Sequence, residues 1–393
     1  MALYIGIMSG TSLDGIDVAL VSIEGDNTLP IIRCRAARTT PFSSALLTDL
    51  QQMMIQPVQH VAHVGAVQNQ LAHEYALAVN QLLHDTQFDA SDIHAIGCHG
   101  QTIWHAPDAD SPYSIQLNNA ALLAANTGIA VIDNFRAKDL ALQGQGAPLV
   151  PAFHHALLHD LHSDRDDSHD QQTRAVINIG GIANVTLLPA QGLITDVLGF
   201  DTGPGNTLLD TWCLHHTGQT YDKDGEWGAS GNVDNALLQQ MLSDPYFAIA
   251  GPKSSGREYF NRDWVLHHIM AICADDLAPC DVQATLVQLT AHTIARSLHH
   301  AKNETAPQSI ADSQWIICGG GAHNPYLMLA LKALAPSKTH VIDMQTLGID
   351  SDALEAMAFA WLAFCYEHRL RANLPHVTGA QRPVILGSKT QHD

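Results

Sequence analysis

The chain has little positive charge, and this limits its partners. Its 393 residues include 19 lysines and arginines against 39 aspartates and glutamates, which gives a formal net charge of −20. A surface of that sign repels polyanions, so neither nucleic acid nor an anionic membrane is expected as a partner. An anionic substrate would need a local site rich in basic side chains or backbone N–H groups.

Long apolar runs and paired cysteines are also missing. The longest apolar run, 356–366, is too short to span a bilayer, and the first predicted strand begins at once, without a basic region followed by an apolar stretch. The seven cysteines form no C-x-x-C pair and have apolar neighbours. Such cysteines are typical of buried, reduced thiols. We therefore expect a cytoplasmic protein without a redox or zinc role.

Two common nucleotide-binding motifs are absent. No Gly-Lys-Ser/Thr occurs in the chain, which excludes a P-loop, and Gly6, Gly10 and Gly15 do not have the Rossmann spacing. Histidine is abundant, at 24 residues, but its adjacent pairs lie in predicted helices. Helical neighbours point about 100° apart and cannot bind one metal together. We interpret the histidines as surface or structural residues.

The chain does have three glycine-rich turns, each directly after an apolar run typical of a strand. They lie in segments 4–23, 175–189 and 315–331. Glycine lets the backbone approach a phosphate closely, and successive N–H groups in such turns form a nest for anions. The first two segments have the strand-turn-strand layout of a β-hairpin, and the third opens a helix. This pattern predicts two related lobes facing one nucleotide, with the third turn at its nucleoside end.

Strands and helices alternate along the chain, which predicts an α/β fold with a mixed sheet. The predicted elements after the first hairpin are a helical stretch at 43–84, a strand at 95–105, a helix at 118–127 ended by Gly128, and a strand at 129–135. Farther along, Asp281 is placed to cap a helix with apolar residues at helical spacing, namely Val282, Leu286, Leu289 and Leu298, together with Thr293.

The length favours two domains, because a single core usually stops growing below this size. The segment 162–173 is almost free of apolar residues and reads as a solvated loop, after which a second lobe opens at Ala175. We predict an N-terminal lobe over 1–160 and a C-terminal lobe over 174–369. The last segment, about 370–393, is expected to pack back on the first lobe.

Two aspartates stand at predicted strand ends. Asp201 ends the run VLGFD and precedes the turn TGPGN, before Asn206 as a predicted helix cap. A carboxylate there suits a general base beside a phosphate, and the alternative is an Asx-turn aspartate that shapes the loop. Asp14 precedes Gly15, a pair typical of a tight hairpin turn, and its functional interpretation is support of magnesium through water.

Other polar residues cluster near the predicted turns. The hydroxyls of Ser9, Thr11 and Ser12 could bind phosphate oxygens or could be plain turn residues. His99, Gln101 and Thr102 would suit sugar hydroxyls or a carboxylate, and Arg136, near Asp133, suits an anionic group. Asp352 and Glu355 have the spacing of a capping box, which explains both without a function.

Eight segments together resemble the anhydro-N-acetylmuramic acid kinase family, in order and from about residue 4 to about 387. They are GIMSGTSLDGIDVAL, GCHGQTIWH, GQGAPLVPAFH, NIGGIANVTLL, GFDTGPGN, GPKSSGRE, CGGGAHN and EAMAFAWLA. The resemblance implies the two-lobed actin-like ATPase fold of sugar kinases and Hsp70 proteins, with duplicated βββαβαβα cores. It also implies ATP-dependent phosphorylation of 1,6-anhydro-N-acetylmuramic acid on its 6-oxygen, with water opening the anhydro bridge, in murein recycling and amino-sugar catabolism. A homodimer is implied as well.

The resemblance assigns roles by motif. Asp201 would be the catalytic base, and Asp14 would support Mg²⁺ through water. ATP would be bound by Gly10, Thr11, Ser12, Leu13, Asp14, Gly15, Ile16, Asp17, Gly180, Gly181, Asn184, Gly203, Gly205, Asn206, Gly319, Gly320 and Gly321. The sugar would be contacted by Ser9, Gln101, Thr102, Arg136 and Glu355.

Two other classes of protein compete with this interpretation. A nucleotide-switch scaffold of the actin or Hsp70 type would need a polymer contact or an added peptide-binding domain, and no segment remains for one. A glycosidase that opens anhydro-sugars without ATP would need two carboxylates and no phosphate loops. The dependence of ADP release on the anhydro-sugar separates the three.

Overall fold

The computed structural model describes the whole chain except residues 26–29, 57, 160–171, 191–192, 250–258, 274–275, 306–312 and 393, and the side chains of 300–305. The chain divides into two compact units. Unit 1 comprises Met1–Arg165 and Asp352–Asp393, and unit 2 comprises Asp166–Ser351. The predicted loop at 162–173 falls almost entirely outside the described residues, and so does the motif GPKSSGRE at 251–258.

The helices and strands follow in chain order. Those before residue 160 are β1 (Ala2–Ser9), β2 (Ile16–Glu24), β3 (Ile31–Thr40), α1 (Ser44–Ile55), α2 (Val61–Thr86), β4 (Ile93–Ala106), β5 (Tyr113–Leu117), α3 (Ala120–Thr127), β6 (Val131–Asp133), α4 (Ala137–Ala141) and α5 (Val150–Leu158). Unit 2 contributes β7 (Thr173–Ile179), β8 (Ile182–Leu188), β9 (Leu198–Pro204), α6 (Thr207–Thr217), α7 (Glu226–Ala229), α8 (Asn235–Leu242), α9 (Arg262–Ala271), α10 (Pro279–Thr305), β10 (Ser313–Cys318), α11 (Pro325–Leu334) and β11 (His340–Asp343). The C-terminal segment of unit 1 adds α12 (Leu354–Glu367), α13 (Pro375–Thr378) and β12 (Ser388–Thr390).

The two units contain sheets of the same topology. In unit 1 the strand order is β12-β6-β4-β1-β2-β3, with β5 paired to β4, and in unit 2 it is β11-β10-β7-β8-β9. In each sheet the first three strands are antiparallel, and the fourth lies parallel to the first on its other side. The duplicated mixed-sheet α/β fold predicted from the sequence is therefore confirmed.

Glycines bring helix α12 onto the sheet of unit 1. Gly6 of β1 and Gly97 of β4 are register partners. A Cβ on Gly6 would collide with the carbonyl oxygen of Ala356, and one on Gly97 with that of Phe359. Residues of β1 on the other face, such as Ile5, are buried in the core that includes α2. Because Gly6 and Gly97 are needed for packing, they are not available as phosphate glycines.

Unit 2 is built around α10. The residues Val282, Leu286, Leu289, Thr293 and Leu298 are all buried, so the predicted helical face is confirmed. The predicted cap is wrong, because α10 begins at Pro279 and Asp281 lies in its first turn. The Oδ1 atom of Asp281 instead accepts a hydrogen bond from the backbone N–H of Asn232, at 2.6 Å.

Other local predictions have mixed outcomes. Gly128 ends α3 in the left-handed conformation, as expected. The predicted helix at 43–84 is two helices, α1 and α2, and the sequence carries a helix-breaking proline between them. The strand predicted at 129–135 is limited to the three residues of β6. The capping box at Asp352 and Glu355 is wrong, since Ala353 precedes α12 and no side chain caps it.

The seven cysteines differ in how far they are exposed to solvent. Cys98, Cys213, Cys318 and Cys365 are buried, whereas Cys273 is exposed, which corrects the expectation of uniformly buried thiols. Among the described residues, no helix combines the length and apolar character needed to cross a membrane.

Candidate active site

The first glycine turn joins β1 to β2 in the predicted hairpin. Its hydrogen bond runs from the backbone N–H of Leu13 to the carbonyl of Gly10, at 3.1 Å. Leu13 is buried and adopts a positive φ of 60°, so the left-handed residue is Leu13 and the tight turn is not at Asp14 and Gly15. The buried leucine anchors the turn, and Thr11, Ser12 and Asp14 are exposed on it.

Gly15, Ile16 and Asp17 belong to the hairpin stem. A Cβ on Gly15 would lie 2.9 Å from the carbonyl oxygen of Thr40, which explains the glycine by packing. Ile16 is fully buried, and Asp17 accepts a hydrogen bond from the hydroxyl of Thr39, at 2.6 Å. Their predicted contact with ATP stays a prediction, and the exposed part of the turn is 10–14.

A bulge in β4 places Gln101 beside Ser9. The register of β1 and β4 shifts after Cys98, so that Ser9 pairs with Gln101. Gly100 lies in this bulge with a φ of +78°. The Oγ atom of Ser9 is 2.5 Å from the hydroxyl of Tyr75, a fully buried residue of α2. Tyr75 was not identified from the sequence, because a lone aromatic on a helix face is usually a core residue.

The amide of Gln101 is oriented by two carbonyls. Its Nε2 atom donates to the carbonyl of Gly10, at 3.1 Å, and to that of Thr102, at 3.2 Å. Because both partners are acceptors, the buried Oε1 atom is the acceptor end, and no partner for it exists among the described residues. A buried acceptor of this kind suits a hydrogen-bond donor of a ligand, such as a hydroxyl. Thr102 accepts a hydrogen bond from the Nε2 of Gln116, at 3.1 Å.

Arg136 is bonded to neutral acceptors. Its Nε and Nη2 atoms donate to the Nε2 atom of His99, at 3.1 and 2.9 Å, and its Nη1 atom donates to the carbonyl of Gly146, at 2.7 Å. Burial and the charge of Arg136 hold the pKa of His99 well below its usual value, so the ring is neutral and its proton lies on Nδ1. The guanidinium keeps its charge for a further partner.

The charges of two carboxylates, Glu355 and Asp139, act on Arg136. Burial lowers the pKa of Arg136, and the charges of Glu355 and Asp139 oppose that shift. Asp133, at the end of β6, accepts a hydrogen bond from the Nδ2 of Asn118, at 3.1 Å, and burial raises its pKa. In unit 1, Ser9 therefore lies beside Gln101, and the charge of Glu355 acts on Arg136; the contact of these residues with a sugar stays a prediction. Asn118 was missed, and no sequence motif marks it.

The second glycine turn in unit 2 is bonded to the turn that follows β9. The backbone N–H groups of Gly205 and Asn206 donate to the carbonyls of Gly181 and Gly180, at 2.9 and 2.8 Å. The side chain of Asn206 donates to the carbonyl of Ile179, at 3.0 Å. Asn206 directly precedes α6, but its side chain does not cap the helix, which corrects that prediction.

The third glycine turn lies beside Asn206, next to the second glycine turn. Gly319 has a φ of +76°, and a Cβ on it would collide with the Oδ1 of Asn178. A Cβ on Gly320 would lie 3.4 Å from the Nδ2 of Asn206, and one on Gly321 would collide with Ile179. The predicted helix opening is confirmed, since Asn324 caps α11 through a bond from the N–H of Leu327, at 3.0 Å. Unit 2 therefore gathers the glycines at 180–181, 205 and 319–321 around Asn206.

The physical reason for a glycine differs from one of these positions to another. A Cβ on Gly205 would collide with the carbonyl of Gly180, so packing alone requires glycine there. A Cβ on Gly180 would meet only the carbonyl oxygen of Ile182, at 3.7 Å, and its φ lies outside the left-handed range. Neither sterics nor backbone conformation within unit 2 demands glycine at 180. Among the described residues, the backbone at Gly180 is therefore open to the close approach of a ligand.

Asp201 lies within β9 and not at its end, because the strand continues to Pro204 through a bulge. Asn184 pairs with Asp201 and Ala183 with Gly203, which leaves Thr202 as the extra residue. Asn178 of β7 is the register partner of Asn184. Directly opposed residues share one face of a sheet, about 4.5–5.5 Å apart.

Asn178, Asn184 and Asp201 therefore form a polar row across three strands, and all three are half-buried. Asn178 was missed, although a polar residue inside the apolar run AVINI was a signal. Helix α10 supports the end of β9, since the hydroxyl of Thr290 donates to the carbonyls of Pro204 and Gly205, both at 3.1 Å. The strand that carries Asp201 is thereby held at the end that follows its bulge.

The residues present fit the way in which Mg²⁺ is bound together with substrate phosphates. Among the described residues, no group of three histidine, cysteine, aspartate or glutamate side chains could hold a metal by itself. Magnesium in kinases keeps several waters and is bound by one or two carboxylates and the substrate phosphates. Asp14, an exposed carboxylate in the first glycine turn, suits that mode.

Duplicated mixed sheets, each with a glycine hairpin between its first two strands, are typical of the actin-like ATPase fold. The family model described as "Anhydro-N-acetylmuramic acid kinase" matches residues 2–392. The chain belongs to this family, and it is a kinase.

Several solved structures are similar to the chain at low identity. The activator of the 2-hydroxyisocaproyl-CoA dehydratase from Clostridium difficile, with bound ADPNP, is 12% identical with a TM-score of 0.41, over 92% of this chain and 94% of that one. The (R)-2-hydroxyglutaryl-CoA dehydratase component A of Acidaminococcus fermentans is 11% identical with a TM-score of 0.43, over 92% and 98%. A ROK family glucokinase from Streptomyces griseus, in complex with glucose and AMPPNP, is 12% identical with a TM-score of 0.34, over 92% and 98%.

Proposed function

We propose that the protein uses ATP and water to convert 1,6-anhydro-N-acetylmuramic acid into N-acetylmuramic acid 6-phosphate and ADP. The process served is peptidoglycan recycling and amino-sugar catabolism. The observation that carries the proposal is that unit 2 holds Asp201 in the sheet whose hairpin carries Gly180, a glycine that neither a close contact among the described residues nor a left-handed backbone requires. The cytoplasmic location and the homodimer expected from the sequence are part of the proposal.

The nucleotide is bound by backbone N–H groups. The exposed turn at 10–14 and the hairpin at 180–181 bind phosphates, and the loop at 319–321 beside Asn206 binds the adenosine end. Asn184, Gly203 and Gly205 complete this set, and the stem residues 15–17 support it. When bound at Asp14, Mg²⁺ supplies positive charge to the transferring phosphoryl group.

The sugar is bound in unit 1. Arg136 binds the carboxylate of the lactyl ether, because its hydrogen bonds to the described residues go to neutral acceptors and leave its charge for an anion. The Oε1 atom of Gln101 accepts a hydrogen bond from a sugar donor. Ser9, Thr102 and Glu355 contribute further polar contacts.

Asp201 acts as the general base. It takes a proton from a water molecule whose oxygen attacks the anomeric carbon, and the bond between that carbon and the 6-oxygen breaks. The electron pair released on the 6-oxygen forms the new bond to the γ-phosphorus, and the bond from this phosphorus to the β-phosphate oxygen breaks to give ADP. A single in-line arrangement of the 6-oxygen and the γ-phosphoryl group can serve both the opening of the bridge and the phosphoryl transfer. No covalent enzyme intermediate is needed.

ADP release measured with and without the anhydro-sugar tests the proposal, together with a search for ring opening in the absence of ATP. We expect ADP to be released only when the sugar is present, in an amount equal to that of the ring-opened product. Sugar-independent ATP hydrolysis alone would indicate a nucleotide switch. Ring opening without ATP would indicate a glycosidase, and either result would refute the proposed function.

A further inference from the structure

Two hydrogen bonds through Gly146 connect Arg136, the arginine of the proposed sugar site, to the buried carboxylate of Asp139. Gly146 accepts a hydrogen bond from the Nη1 of Arg136, at 2.7 Å, and its N–H donates to the Oδ2 of Asp139, at 2.8 Å. Gly146 has a φ of +70°, and a Cβ on it would lie 3.0 Å from the Cγ of Leu140 and 3.3 Å from the Cβ of Arg136. Gly146 therefore links the guanidinium to Asp139 and, together with His99, fixes where the guanidinium lies.

Asp139 is fully buried, and its other oxygen is held by the C-terminal segment. The Nδ2 of Asn373 and the hydroxyl of Thr378 both donate to its Oδ1, at 2.8 Å. These donors lie 234 and 239 residues away along the chain. A buried carboxylate is costly unless it is hydrogen-bonded, so the three donors fix Asp139 and charge-assisted bonds make the contact strong.

The C-terminal donors are themselves oriented. The Oδ1 of Asn373 accepts from the N–H of Val384, at 2.6 Å, which fixes its amide with Nδ2 towards Asp139. The N–H of Gln145 donates to the carbonyl of Thr378, at 2.7 Å. The loop that carries Gly146 is thus bonded to the same segment at Gln145, and also through Gln381, whose backbone N–H donates to the carbonyl of Leu142 and whose side chain donates to Gln143.

We propose that Asn373 and Thr378 are positioning residues for substrate binding. Acting through Asp139 and Gly146, they hold Arg136 in the geometry that binds the carboxylate of the sugar. This inference rests on the proposed function. It assigns to the C-terminal segment a role in sugar affinity and none in nucleotide affinity.

The substitution Thr378→Val tests the inference, because it removes the donor and keeps the volume and the β-branch. Thr378→Ser restores the hydroxyl, and Gln381→Ala is a matched control, since Gln381 in the same segment donates to Gln143 and not to Asp139. Titration calorimetry gives the Kd of 1,6-anhydro-N-acetylmuramic acid and that of an ATP analogue for each variant, and a steady-state assay gives KM and kcat.

We expect Thr378→Val to raise the Kd and KM of the sugar about tenfold, as for the loss of one bond to a charged group. The Kd of the ATP analogue and kcat should change less than twofold, and Thr378→Ser and Gln381→Ala should resemble the wild type. In an Arg136→Met background, Thr378→Val should weaken sugar binding no further.

An unchanged sugar Kd in Thr378→Val would overturn the inference, and so would equal losses for sugar and nucleotide or additivity with Arg136→Met. Should Thr378→Val not fold, Asn373→Ser, judged by the same double-mutant comparison, decides in the same way. A wild-type protein that binds ATP but not the anhydro-sugar would overturn the proposed function and this inference with it. Wild-type sugar binding with unaffected variants would overturn the inference alone.

Discussion

Replacing Gly180 by alanine should separate folding from nucleotide binding. A Cβ there would be 3.7 Å from the carbonyl oxygen of Ile182, an ordinary van der Waals contact, and the backbone is not left-handed. The change introduces no clash and restricts the unfolded chain, which stabilises proteins by about 0.4–1 kcal/mol. A change of 1 kcal/mol corresponds to about 2–4 °C in Tm for units of roughly this size. We expect the Tm to stay constant or to rise by up to about 4 °C.

The same methyl group would occupy the space through which a phosphate reaches the turn. A phosphate oxygen bonded to a backbone N–H comes to about 2.9 Å from the nitrogen, and a methyl group beside it prevents that approach. Losing one hydrogen bond to a charged group costs about 1.5–3 kcal/mol. The Kd of an ATP analogue should therefore rise about 10- to 150-fold.

Thermal unfolding and titration calorimetry on the same preparations measure both effects. The control is Gly205→Ala, whose Cβ would collide with the carbonyl of Gly180 and should lower the Tm. Normal nucleotide affinity in Gly180→Ala would refute the reasoning. A large loss of stability in that variant would refute it as well, because the glycine would then be explained by packing.

Three further predictions concern other parts of the chain. Asp201→Asn should keep ATP binding and reduce sugar-dependent ADP release about 10²- to 10⁴-fold, since the amide cannot accept a proton; near-normal turnover would exclude the base assignment. Gly97→Ala should lower the free energy of unfolding by about 1–3 kcal/mol or more in denaturant titrations, because its Cβ would displace α12 at Phe359; unchanged stability would contradict the packing account. Burial lowers the pKa of His154 from 6.5 to about 3, so below pH 6.5 the unfolded chain binds a proton that the folded chain does not. The free energy of unfolding should then fall between pH 6.5 and 3, by up to about 1.4 kcal/mol per pH unit for this group, and His154→Asn should flatten the decline; an equal slope in both proteins would count against it.

The sequence predicted those features that depend on local patterns. The turns at 10–15 and 180–181 consist of typical turn residues, and each follows an apolar run. The sequence therefore predicted each hairpin, with its two strands and the turn between them. The same holds for the cap by Gly128, because a left-handed helix end favours glycine. The role of each site residue in ligand binding stays a prediction.

What the sequence did not predict depends on contacts between distant segments or on fine backbone geometry. The bulge at Thr202 keeps Asp201 inside a strand, although Gly203 and Pro204 read as the end of one. Tyr75 meets Ser9 across 66 residues, and Asp139 meets Thr378 across 239. No spacing rule within one segment reveals pairs of this kind.

In the proposed mechanism, Asp201 activates a water for a single displacement that is coupled to phosphoryl transfer. In the 1,6-anhydro sugar the 6-oxygen leaves from the β face of the anomeric carbon, so the water must arrive from the α face. Proton NMR of the earliest product, recorded before mutarotation mixes the anomers and alongside ADP measurement, tests this directly. We expect the α-anomer of N-acetylmuramic acid 6-phosphate to form first, with one ADP for each ring opened. Initial formation of the β-anomer, as a double displacement through an enzyme nucleophile would give, would contradict it.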